Sequence, residues 1–197
     1  MAADDSHTLE GALRTLRKAV KGQHQLEGAV RELEEVATAM DDEATRATLP
    51  ARLDAVCSPS HPAQALLLAH PAAGLAVLAG LLERVADGLK DMLGRGTSKG
   101  GAAARERELE GWARVGEGLA RVMETFLDDD DESTRAHQPT SEEKEHFGNT
   151  CLPVLATLLK SDLEAAFLPP SLLRKVFDLF SAATAHHPSN KTRLSNL

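Results

Sequence analysis

From Cys151 to Leu194 the chain reads CLPVLATLLKSDLEAAFLPPSLLRKVFDLFSAATAHHPSNKTRL: an apolar stretch, a Pro-Pro break, a second apolar stretch and a polar turn. In the second stretch Leu172, Leu173, Val176, Leu179, Phe180 and Ala183 recur at the three- and four-residue steps of one helix face. The first stretch predicts a shorter helix over Leu152–Ser161, with Pro153 near its first turn, where a missing N–H costs least. Each stripe has to be buried against another element. This stretch therefore folds only as part of a stack of helices, and the remainder of the chain has to supply the other layers.

The remainder has the residues to do so. Aromatic residues make up 3% of the 197, with one Trp and no Tyr. The apolar content is mainly Leu, Ala and Val, so strands are disfavoured and an all-α fold is expected. Leu9, Leu13, Leu16 and Val20 mark a first helix, with Thr8 or Ser6 as its cap and Gly22 as its stop. Leu26, Val30, Leu33, Ala37 and Met40 form a second stripe in a shifted register, which predicts two helices or a bend. Glu27 and Arg31 decorate its other face. A short helix carries Leu49, Leu53 and Val56, with Pro50 near its start. A proline-containing loop follows at residues 57–62. Ala63 to His70 is short and helical. Ala72 to Leu93 is long and apolar, with Leu75, Leu78, Leu82, Val85 and Leu89 on one face, and Leu81 and Met92 widening it.

The expected organisation is one continuous fold in five parts. Residues 1–93 are an N-terminal helical segment. Residues 94–101, GRGTSKGG, are a flexible linker by composition. Residues 102–127 are a long helix with Leu109, Trp112, Gly116, Leu119, Met123 and Phe126 in one stripe. Its Gly111, Gly116 and Gly118 either allow a close crossing or weaken the helix. Residues 128–140 are an acidic, solvated loop. Residues 141–197 open with a short helix at Ser141 anchored by Phe147. Gly148-Asn149 is expected to break it before the Cys151 stretch begins.

Leu152-Pro153-Val154-Leu155 with Leu158-Leu159, then a longer Leu- and Ala-bearing helix, then Asn190 and Leu194 in a new turn: this order resembles an armadillo repeat. It spans about a quarter of the chain. No period of about 40 residues recurs upstream. The resemblance thus implies an irregular armadillo-like or HEAT-like superhelical solenoid of stacked antiparallel helices. It also implies a non-catalytic interaction or adaptor role, with a groove for a peptide or helical partner. Arg174, Asp178, Ser181 and Ala185 share one side of the last long helix, which in such stacks often lines the partner-binding surface. Some armadillo-like proteins instead regulate nucleotide exchange on a chaperone or GTPase. A helical-bundle oligomer built through residues 9–40 is a further alternative.

Catalytic and ligand motifs are absent from the sequence. Lys99 precedes Gly100 with no following Ser or Thr, unlike a phosphate loop. A calcium frame starting at Asp128 would place Ser133 and Pro139 where Gly and Glu are needed. His186 and His187 diverge by about 100° on a helix. Cys57 and Cys151 read as free thiols. Near a helix start Cys151 would gain acidity from the dipole, but its apolar neighbours favour a buried structural thiol. The chain is therefore expected to be no enzyme and to need no cofactor or metal. The formal net charge of −8 argues against nucleic acid and anionic membranes and favours basic segments of protein partners. No leader or membrane-spanning stretch is read in the sequence, so the cytoplasm or nucleus is the expected location. The Asn190-Lys191-Thr192 acceptor pattern then has no consequence.

Overall fold

The computed structural model describes residues 8–42, 48–56, 58, 60–94, 102–127 and 140–185. The described residues are helical, without strands, and form α1 (Leu9–Ala19), α2 (His24–Asp41), α3 (Leu49–Val56), α4 (Pro62–Ala69), α5 (Pro71–Gly94), α6 (Ala102–Glu124), α7 (Ser141–Ala165) and α8 (Pro170–Ala185).

Local chemistry sets most of the boundaries. The Thr8 hydroxyl accepts the Gly11 N–H at 3.1 Å and caps α1, satisfying a donor with no intrahelical partner. Gly22, at φ +88°, turns the chain into α2, and its N–H donates to Glu27 Oε1 at 2.8 Å. The register slip between Val20 and Leu26 is thus a true break between two helices. His61 caps α4 through Nδ1, which accepts the Ala63 N–H at 3.2 Å. Its Nε2 meets Glu32 of α2 at 2.8 Å. Thr140 and Glu143 form a reciprocal capping box at the start of α7, as paired orphan donors require.

Three boundaries differ from the sequence reading. Gly148-Asn149 does not break the chain: α7 runs without interruption to Ala165, so Pro153 lies well inside it. Phe147, Cys151, Leu152 and Leu155, all fully buried, carry one apolar stripe straight through the Gly-Asn pair. Their burial outweighs the propensity cost of Gly and the lost proline hydrogen bond. Asn149, whose carbonyl Pro153 cannot serve, is an exposed residue, which limits that cost. Secondly, α6 stops at Glu124, and Thr125–Leu127 form a turn that buries Phe126 and Leu127. Thirdly, Gly94 closes α5 rather than opening a linker. The rest of the proposed linker, nearly all of the acidic loop, and Asn190 and Leu194 lie outside the described residues.

The helices share one core, with α5 at its centre. It packs against α1, α4, α6 and α7 and touches α2. Residue pairs give the directions. Gly88 meets Trp112, and Arg105 donates to the Met92 carbonyl at 2.6 Å, so α5 and α6 run in opposite senses. Cys151 donates to the Leu75 carbonyl, and Lys90 lies over the Phe167 ring at 4.7 Å, so α7 runs along α5 in the same sense. Likewise Gly116 meets Leu172 and Glu124 pairs with Lys175 at 3.1 Å, which aligns α8 with α6. Gly116 does allow a close crossing: a Cβ there would sit 2.7 Å from a Leu172 methyl. The α1 and α2 stripes, from Leu9 to Met40, are spent inside this core.

Candidate interaction surface

Arg174, Asp178, Ser181 and Ala185 are all exposed and lie on one side of α8. Leu172, Val176, Leu179 and Ala183 form the opposite, buried side. At about 100° per residue the exposed side also includes Phe177, which is 58% exposed. Beside it, Leu163 on the last turn of α7 is 89% exposed. Leu159, Leu163, Pro170, Leu173, Arg174 and Phe177 line a shallow, mostly apolar groove between the two helices, with Asp162 at its base.

Hydrogen bonds to Asp162 hold the turn between α7 and α8. Ala166 adopts the left-handed conformation at φ 47° and donates its N–H to the Asp162 carbonyl at 2.7 Å. The Asp162 carboxylate accepts the Leu168 N–H, also at 2.7 Å. Phe167 and Leu168 are buried by this turn, and Lys90 of α5 covers the Phe167 ring in a cation–π contact. Neither the Arg174 nor the Asp178 side chain has a hydrogen-bond or ion-pair partner among the described residues. The sequence placed the four polar and small residues but missed Phe177 and Leu163. The signal for Phe177 was present, since it is the large apolar residue of α8 that falls off the inward stripe.

A second groove crosses α1, α5 and α7. Glu10, Gly80, Glu83, Arg84, Asp87 and Thr150 are among its lining residues. Arg84 is held by Glu10 at 2.5 Å and by the Ala37 carbonyl at 2.9 Å. Desolvation by the groove walls, and then the Asp87 carboxylate, push the Glu83 carboxyl above its ordinary value.

Cys151 is fully buried, ten residues into α7 rather than at its start, and burial pushes its thiol up and away from reactivity. Cys57 lies outside the described residues. Among the described residues no three His, Cys, Asp or Glu side chains converge on a metal-sized site. No described helix is long and apolar enough to cross a membrane. No family model, curated protein or solved structure matches this chain.

Proposed function

We propose that the chain is a non-catalytic protein-interaction domain, built as an irregular armadillo-like or HEAT-like stack of helical hairpins, whose partner surface is the outer side of α8. The observation that carries this reading is the exposed Phe177–Leu163 pair. Large apolar side chains elsewhere in the helices are almost all spent in the core, and an apolar patch rimmed by polar residues marks a binding surface. The solenoid reading draws on the same-sense alignment of α5 with α7 and of α6 with α8. That is the relation between successive units of a helical stack.

An affinity capture tests the proposal. The intact chain is compared with one carrying Arg174→Glu and Asp178→Lys, and with Phe177→Ser alone. Loss of the same captured protein in both variants is the expected result. Unchanged capture defeats the α8 surface. The basic segments favoured by the net charge fit the second groove best, because a cation there relieves the Glu83–Asp87 repulsion. Binding of that kind weakens steeply with salt and is lost in Glu83→Lys, while Phe177→Ser leaves it intact.

A further inference from the structure

We propose that the outer side of α8 pairs with the same side of a second copy of this chain, the two helices running antiparallel across a two-fold axis. This deepens the interaction-domain reading and rests on the same face.

The charge arrangement singles out a second copy as the occupant. Arg174 and Asp178 stand one turn apart on the exposed side of α8, with opposite charge and without partners among the described residues. A cation and an anion so placed form a strip that is neutral as a whole and complementary to its own reverse. When two such helices meet antiparallel, Arg174 of one copy faces Asp178 of the other, and the second pair repeats the contact. This is the reciprocal pattern of an isologous interface. A foreign partner would have to reproduce that order of charges, whereas a second copy supplies it by symmetry.

The apolar component agrees. Phe177 lies between the two charges in sequence and on the same side. Burying an exposed aromatic ring is the largest single gain such a surface offers. Leu163 and Leu173 flank it in the adjoining groove. Ser181 is small and exposed further along the strip, leaving room for a neighbouring backbone to approach. Each helix presents its own groove to the other, so both apolar patches are covered in one contact.

Sedimentation analysis of the full chain over a dilution series up to about 100 µM, a range that reveals micromolar association, tests this pairing. The expected result is a monomer–dimer equilibrium. Phe177→Ser shifts it to monomer throughout. Arg174→Asp and Asp178→Arg, each alone, weaken it by at least about tenfold, because each brings like charges together twice. An equal mixture of these two single variants forms a heterodimer with both pairs restored, and the double variant dimerises with itself. Helical circular dichroism and Trp112 emission, unchanged throughout, confirm folding. A monomer at every concentration overturns the proposal, as does a dimer indifferent to Phe177→Ser or a mixture that fails to rescue. A monomeric chain whose captured protein is lost in the α8 variants overturns the self-pairing alone. A dimer obeying the charge-swap pattern without any captured protein supports the self-pairing and defeats only a foreign partner on this face.

Discussion

Replacing Gly74 with alanine tests how the short α4 is joined to the central α5. An ideal Cβ at Gly74 would lie 2.4 Å from the Leu67 carbonyl oxygen and 3.0 Å from the carbonyl carbon and Cα of Leu67. The nearest contact is roughly 1 Å inside a resting van der Waals separation. It is made with backbone of α4 rather than with the end of a flexible side chain. Leu67 is itself buried, so α4 cannot yield without losing its seat. Overpacking of this kind costs about 3 kcal/mol, at the upper end of the usual range. Alanine returns about 1 kcal/mol through helix propensity. The net expectation is a loss of about 2 kcal/mol. With a urea slope of about 2 kcal/mol/M, the midpoint falls by about 1 M. Trp112, the only Trp in a chain without Tyr and 1% exposed, gives a single fluorescence reporter of core opening. Gly28→Ala is the matched control. It lies inside α2 with nothing within 4 Å of the added methyl, so only the propensity gain remains and the midpoint rises slightly. A Gly74→Ala midpoint equal to or above that of the native chain would refute the close-packed corner.

Other expectations follow from the caps and buried groups. Thr140→Ala removes half of the α7 capping box and costs about 1 kcal/mol in urea unfolding, with Thr140→Ser retaining most of it. In a Cys57→Ser background, Cys151 stays unlabelled by a thiol reagent in the native state and reacts once urea unfolds the chain; rapid native labelling would contradict its burial. Glu83 has a pH signature. Its folded pKa lies above the unfolded value, so protonation favours the fold and the charged form costs stability as pH rises through the folded pKa. Glu83→Gln is therefore more stable than the native chain at neutral pH, and the gain vanishes below the ordinary carboxylate value of 4.5. A gain that persists unchanged in acid would contradict the desolvation account.

The sequence by itself determined that this chain is helical and where nearly every helix lies. Thr8, Gly22 and the leucine stripes are local signals, and local hydrogen bonding obeys them. The inward stripe of α8 was legible for the same reason, and with it the outward side holding Arg174, Asp178, Ser181 and Ala185. Only the tertiary structure decided the rest. At Gly148-Asn149 the local rules predict a break, but the stripe from Phe147 to Leu155 has α5 to pack on, and burial outweighs propensity. The partners of α5 and the shared sense of α5 with α7 depend on contacts between residues as far apart as Leu75 and Cys151, which no local pattern encodes. The exposure of Leu163 is of the same kind. Its spacing alone does not tell whether another helix covers it, and the arrangement of α7 on α8 leaves it open.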